Sequence, residues 1–186
     1  IAGLEITSLI YARIDPGLSI EYYLQDGDRI RPGDKGFLVS GNVQSILKSE
    51  RIVLNVLQRM SGIATQTNRY VDKIKDLHTK ILDTRKTTPG MRILDKEAVR
   101  IGGGENHRMG LYDMIMLKDN HIEAIGGIKE AVKTVRSKVP HTIKIAVETE
   151  NLIQVQEALD AGADIIMLDN MPVKTMKEAV ELIGGR

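Results

Sequence analysis

The sequence predicts an α/β protein: a small β-rich N-terminal unit, a long helix, and then strands and helices in alternation, as in a parallel sheet or barrel. Three observations predict it. The hydrophobic period changes from short bursts to a three-and-four spacing near Val43. Four short apolar runs after residue 78 are each followed by a helical pattern, and each run ends in polar residues. Runs that are apolar at nearly every position, rather than at alternate ones, are buried on both faces, which is the signature of parallel strands covered by helices.

Taken in order, residues 1–45 carry apolar bursts such as Ile20-Glu21-Tyr22-Tyr23-Leu24 and Gly36-Phe37-Leu38-Val39, separated by Asp26-Gly27-Asp28 and Arg31-Pro32-Gly33-Asp34. Asp-Gly and Pro-Gly are turn chemistry, so a small β-rich unit is expected here. The turn resembles one that introduces biotinyl and lipoyl-type sandwiches, but no Lys stands at a hairpin tip, which argues against a carrier role. Residues 46–77 form the connecting helical region: Val53, Leu57, Met60, Ala64, Val71 and Ile74 make one stripe, either as one long helix or as two interrupted near Gly62. Residues 78–186 hold four expected βα units. Their strands lie at 80–83, 114–117, 143–147 and 164–168, and their helices at 96–101, 128–138, 152–161 and 173–183.

Composition narrows the function. Lys plus Arg number 26 against 25 Asp plus Glu, a net charge of +1, so no global field recruits nucleic acid or anionic lipid. The six aromatic residues, one Phe and five Tyr, are too few for base-stacking platforms. Zero Cys removes thiol nucleophiles and thiolate metal sites and fits a reducing, cytoplasmic setting. No apolar run approaches the roughly 20 residues needed to cross a bilayer. The start at Ile1 and the end at Gly184-Gly185-Arg186, directly after a helical pattern, suggest that both ends are cut.

The polar groups at the strand ends carry the chemistry. Asp83-Thr84-Arg85-Lys86 closes the first expected strand, Lys118-Asp119-Asn120-His121 the second, Glu148-Thr149 the third and Asp169-Asn170 the fourth. In a parallel αβ sheet these ends share one face. Arg85, Lys86, Arg108 and Lys118 in a chain of near-zero net charge point to an anionic ligand with more than one charged group. Arg grips such groups with a planar fork and Lys adds a point charge. Asp83, Asp119, Glu148 and Asp169 suit sugar hydroxyls or Mg²⁺. Gly102-Gly103-Gly104-Glu105-Asn106-His107-Arg108 lets backbone approach a ligand or another backbone closely. It matches neither G-x-G-x-x-G nor a P-loop, and His107 is a candidate donor or acid–base group. His78 and His141 read as structural, His121 stays open between the two, and the strand methionines read as core.

These residues also carry a resemblance. The segment 47–65, with Ser49-Glu50-Arg51 and Asn55-Val56-Leu57-Gln58-Arg59-Met60-Ser61-Gly62, resembles the quinolinate phosphoribosyltransferase family. So do Asp83-Thr84-Arg85-Lys86-Thr87-Thr88-Pro89-Gly90, the glycine triplet through Arg108, Met116 through His121, Val147-Glu148 and Met167 through Asn170, in order along the whole chain. The resemblance implies an open α/β barrel, here incomplete, preceded by a small α/β sandwich domain of which residues 1–45 are part. It implies transfer of phosphoribose from phosphoribosyl pyrophosphate to quinolinate with decarboxylation, giving nicotinate mononucleotide, pyrophosphate and CO₂ in NAD biosynthesis, with Mg²⁺ as cofactor.

Carried over by position, Thr84, Arg85, Lys86, His107, Arg108 and Lys118 contact substrate, and Arg51 reaches the site of a partner subunit in a homodimer. Glu148 and Asp169 lie near the ribose and Mg²⁺. Lys86, Lys118, Glu148 and Asp169 form the expected catalytic set, with no nucleic acid or membrane partner. The family's pattern continues beyond both ends of this chain, including a Ser-Gly-Gly-like phosphate loop, so this chain by itself is not expected to be an active enzyme. Three other readings stay open. One is a Schiff-base barrel lyase using Lys86 or Lys118 pressed by neighbouring cations. Another is a related phosphoribosyltransferase acting on a different pyridine acid, and the last is a binding module built on residues 1–45.

Overall fold

Helix α1, Leu4–Ile14, opens the chain in a computed structural model that describes residues 1–185; Arg186, in the terminal triplet read above, lies outside them. The β-rich reading of residues 1–45 placed no helix here, so α1 is an addition to it. Its buried positions, Leu4, Thr7 and Tyr11, recur at three and four, a helical stripe hidden in a segment too short to advertise a period. Only two four-residue strands accompany it, β1 (Ser19–Tyr22) and β2 (Phe37–Ser40), paired antiparallel with Ser19 opposite Ser40. Leu4, Tyr11, Val53 and Leu57 form a core with Ile20, Phe37 and Val39, and the Tyr11 and Phe37 rings meet edge-on at 6.3 Å.

The connecting region is one uninterrupted helix, α2 (Val43–Ile74). Its N-terminus is capped by Asn42, whose side-chain oxygen accepts from the Gln44 and Ser45 amides at 2.9 and 3.2 Å. Gly62 does not break it, because that position faces open space and costs only the intrinsic glycine penalty of about 1 kcal/mol in a helix anchored by a buried stripe from Ser49 to Thr67. Val56, Met60 and Ala64 pack against Ala98 of α3 (Arg92–Ile101), which begins four residues before the expected helix.

The expected strand over 80–83 is reduced to a single parallel bridge between Leu82 and Glu105. Two hydrogen bonds define it: the Glu105 amide donates to the Ile81 carbonyl at 2.8 Å, and the Asp83 amide to the Glu105 carbonyl at 3.2 Å. The glycine triplet explains why Glu105 comes so close. A Cβ on Gly102 would stand 2.5 Å from the Ala64 carbonyl oxygen, and one on Gly104 2.8 Å from a Val99 methyl. Of the two uses of glycine left open by the sequence, Gly102 serves close packing of its turn onto α2, where any side chain would collide with backbone.

Residues from Arg108 form a second compact unit, distinct from Ile1–His107. Its three parallel strands, β3 (Ile115–Leu117), β4 (Ile145–Thr149) and β5 (Ile165–Leu168), stand side by side in chain order. The central strand, β4, is buried at Ile145, Ala146, Val147 and Thr149, as both-face coverage requires. Helices α5 (Ile128–Arg136) and α6 (Leu152–Asp160) supply Ile128, Ala131, Val132 and Ala158 to the core around Leu117, Ile145 and Val147. Helix α7 (Val173–Ile183) adds Ala179 against Val155 and Met171. The short helix α4 (Asp119–Ile125) was not anticipated. It is a two-turn element with no fully buried residue, so it leaves little hydrophobic period to read. Among the described residues, no helix is long and apolar enough to cross a membrane.

Candidate active site

The first unit gathers its charges around a cavity of about 270 Å³ lined by Arg59, Asp83, Thr84, Lys86, Asp95 and Lys96, among others. The residues after Asp83 make a tight turn in which Thr84 Oγ1 accepts from the Lys86 amide at 3.0 Å. The same turn presents the Arg85 carbonyl to the Thr87 amide at 2.9 Å. The Arg85 guanidinium is left with a buried Nε that has no hydrogen-bond partner among the described residues.

Two ion pairs flank this turn, and sequence reasoning missed both. Arg59 grips Asp95 with two hydrogen bonds of 2.7 Å and also donates to Thr88 Oγ1 at 2.6 Å, tying α2 to α3 and to the Thr87-Thr88-Pro89-Gly90 loop. One residue along, Lys96 pairs with Asp83. The available signal was a pair of adjacent charges, Asp95-Lys96, in a strongly amphipathic helix that gives Leu94, Ala98 and Ile101 to the core. Charges placed beside such a stripe need buried partners.

The Arg59 fork holds the Asp95 carboxyl below its usual range, and the Thr88 amide adds to this against the opposing cost of burial. A carboxyl lowered in the folded state stabilises the fold above its unfolded pKa, and that contribution fades as pH falls through the lowered value. Arg59→Met, which leaves Asp95 at 9 % exposure without its partner, is therefore expected to cost about 2 kcal/mol at neutral pH. The gap between variant and parent should close as the pH falls through the lowered value of the Asp95 carboxyl, where it protonates in the parent. Thermal melts across pH check this, and a gap independent of pH refutes it.

His107 follows the bridge and is held through its backbone, its amide donating to Asp83 Oδ1 at 2.8 Å. Arg51 stands apart from this cavity, on an exposed turn of α2.

In the second unit the strand ends converge as parallel pairing demands. Leu117 lies opposite Val147, and Glu148 opposite Met167, which brings Lys118, Glu148 and Asp169 to one end of the sheet. All three line one cavity of about 420 Å³. Lys118 Nζ donates to Glu148 Oε1 at 2.9 Å, with side-chain exposures of 45 % and 17 %. The neighbour of Lys118 is thus a carboxylate rather than the pressing cation that a Schiff-base lysine needs. His121 accepts from the Lys118 amide through Nδ1 at 3.2 Å and so helps to set the start of α4. Asp169 donates its amide to the Thr149 carbonyl at 2.8 Å, and the following Asn170 takes a left-handed φ of 49° that turns the chain away behind it. Arg108 points its guanidinium along β3, donating to the Met114 carbonyl at 3.1 Å.

Comparison with known proteins places this arrangement. Residues 1–61 match the model of the quinolinate phosphoribosyl transferase N-terminal domain, and residues 63–186 that of its C-terminal domain. The chain is 47 % identical, over its whole length, to quinolinate phosphoribosyltransferase (decarboxylating) 2b, mitochondrial, of Nicotiana tabacum, covering 58 % of that protein. It is 46 % identical to a probable nicotinate-nucleotide pyrophosphorylase (carboxylating) of Synechocystis, across 98 % of this chain and 62 % of the relative. The chain thus spans about three-fifths of the length of these curated relatives. Among solved structures, NadC from Streptococcus pyogenes superposes with a TM-score of 0.94 at 44 % identity, over 99 % of this chain and 65 % of that one. With both domain models matched in order and identities above 45 %, the chain belongs to the quinolinate phosphoribosyltransferase family.

Proposed function

We propose that this protein transfers phosphoribose from phosphoribosyl pyrophosphate to quinolinate with decarboxylation, yielding nicotinate mononucleotide, pyrophosphate and CO₂ for NAD biosynthesis. The observation that carries the reading is the buried Arg85 Nε with no acceptor among the described residues. A buried donor without a partner is costly and is resolved by an incoming acceptor. A guanidinium fork suits a carboxylate or phosphate best.

Quinolinate offers two adjacent carboxylates. In the first unit, Thr84, Arg85, Lys86 and His107 are the proposed contacts to acid groups. In the second unit, Arg108 and Lys118 are the proposed cationic contacts, with Glu148 and Asp169 toward the ribose. Fixed cations that hold both carboxylates orient the ring nitrogen for in-line approach to the anomeric carbon, which removes most of the entropic cost of the encounter. The bond from that carbon to the pyrophosphate oxygen breaks as the bond to the ring nitrogen forms, and positive charge grows on the ribose. Glu148 and Asp169 stabilise that charge, while Lys86 and Lys118 stabilise the negative charge that leaves. The carboxylate beside the quaternised nitrogen then departs as CO₂. Its electron pair stays on the ring carbon, stabilised by the adjacent cationic nitrogen, until a proton is taken up. No protein nucleophile is required.

The donor set is compatible with Mg²⁺. Glu148 and Asp169 line one cavity, and one or two carboxylates with waters and phosphate oxygens suffice for this ion, although the described residues contain no cluster of three potential metal-ligating side chains. When bound, Mg²⁺ supplies charge neutralisation for the departing pyrophosphate.

The proposal includes a homodimer in which Arg51 serves the neighbouring chain's site. Val43, Leu47 and Ile52, exposed on the same helix at 67 %, 64 % and 51 %, support an interface there. It also includes a cytoplasmic location, which a chain without cysteine suits.

The deciding assay supplies the full-length protein with phosphoribosyl pyrophosphate and Mg²⁺ and offers quinolinate or nicotinate as acceptor. Equal amounts of nicotinate mononucleotide and CO₂ from quinolinate are expected. A preference for nicotinate, or no nucleotide from either acid, overturns the reading.

A further inference from the structure

Asp83 and Lys96 form the most deeply buried ion pair among the described residues, with side-chain exposures of 6 % and 1 %. Two charges taken out of water cost more than an apolar pair of the same volume unless every remaining donor and acceptor is used. Here the spare capacity is spent on one backbone stretch. Asp83 Oδ1 accepts from Lys96 and from the His107 amide, at 2.8 Å for the latter. Lys96 Nζ also donates to the His107 carbonyl at 3.0 Å. With its amide nitrogen turned toward the two acceptors it faces, Asn106 donates to Asp83 Oδ2 at 2.7 Å and to the Lys96 carbonyl at 2.9 Å. Both polar backbone groups of His107 are thus held by opposite ends of one ion pair.

We propose that Asp83 and Lys96 are positioning residues that hold the Asn106-His107 backbone so that His107 meets the acid substrate, an inference that rests on the function proposed above. A residue gripped at both its amide and its carbonyl has little freedom in the dihedrals that aim its side chain, and holding a binding group in place lowers the cost of organising the site. The ion pair is not itself a substrate contact. Lys96 is directed at Asp83 and His107, and its role is to act through the latter. The pair also joins the turn after Asp83, which carries Thr84, Arg85 and Lys86, to the same backbone, so the two sequence motifs are set by one device.

The test uses the full-length enzyme and separate Michaelis constants for the two substrates. Lys96→Met alone leaves a buried carboxylate and is prone to misfold, so the informative variant is the double change Asp83→Asn/Lys96→Met. It removes both charges and keeps an acceptor for the His107 amide but no donor for its carbonyl. This variant is expected to raise the KM for quinolinate by about tenfold or more while the KM for phosphoribosyl pyrophosphate stays within about twofold. Asp83→Asn/Lys96→Gln, which restores an uncharged donor, is expected to return the quinolinate KM to within about threefold of the parent. An unchanged quinolinate KM in the folded Met variant, or a parallel rise in both constants with a lowered melting temperature, overturns the inference.

A second measurement needs no substitution. In the unmutated protein the His107 amide should exchange at least about 100-fold more slowly than in an unfolded chain, and exchange at the unfolded rate also overturns the inference. A parent enzyme that does not turn over quinolinate at all overturns the functional reading, and this inference with it. A normal parent with an unaffected Met variant overturns the inference alone.

Discussion

Lys118→Ala is expected to lower the turnover of quinolinate by on the order of 10²–10³-fold while the protein stays folded. The reasoning begins with the position of the residue. Lys118 stands at the C-terminal end of β3, directly after the buried Leu117, and its ammonium is held 2.9 Å from Glu148 at the mouth of a cavity that Asp169 also lines. Removing it deletes a fixed positive charge where negative charge is proposed to develop, and it leaves Glu148 free to approach or repel the anionic substrates. The structural cost is small by comparison. The pair is partly exposed, so its loss is worth about 1 kcal/mol. Product formation in the full-length protein, read beside a thermal melt, separates the two effects. Turnover equal to the parent would remove Lys118 from the mechanism.

Arg51→Ala is expected to abolish most activity for a different reason. Arg51 lies on an exposed turn of α2, outside the cavity that Thr84 and Lys86 line, so within its own chain it does not reach the group of residues it resembles functionally. The proposed resolution is a two-fold dimer in which each chain lends its Arg51 to the other. That arrangement has a distinctive consequence. Arg51→Ala and Lys86→Ala chains, each inactive by itself, form on mixing heterodimers that hold one intact site and one doubly damaged site. Random exchange should restore about a quarter of the parent activity. Subunit exchange is verified first, by mass or by affinity tags of two kinds. Verified heterodimers with no activity above the separate variants would exclude a shared site.

These expectations differ in how they can be read from the chain. The strands β4 and β5 were legible because runs of three apolar residues, Ile145 to Val147, and of four, Ile165 to Leu168, flanked by turns leave few alternatives, and the observed spans fall within about two residues of the expected ones at each end. The polar residues closing them were legible as a site for the same reason: parallel strands put all their C-terminal ends on one side, so Lys118, Glu148 and Asp169 had to meet. The expected strand over 80–83 was not delivered: among the described residues it makes a single bridge, from Leu82 to Glu105. Helix α1 was missed because its stripe is three residues long and is completed by Val53 and Leu57, far away in the chain. A period that short is not resolvable within the segment.

The sequence by itself determined the class of fold, the alternation of strand and helix from β3 onward apart from α4, the cationic and acidic strand ends and, through long ordered motifs, the family to which they belong. Only the tertiary structure decided what Gly102 is for, which carboxylate each lysine answers, and that Arg85 keeps a buried Nε without a partner among the described residues. The physical reason is common to all three. Periodicity and turn chemistry act over a few residues, whereas a steric conflict with the Ala64 carbonyl or a buried pair between Asp83 and Lys96 depends on which distant groups are brought within a few ångströms. Burial then turns that proximity into a large free-energy term.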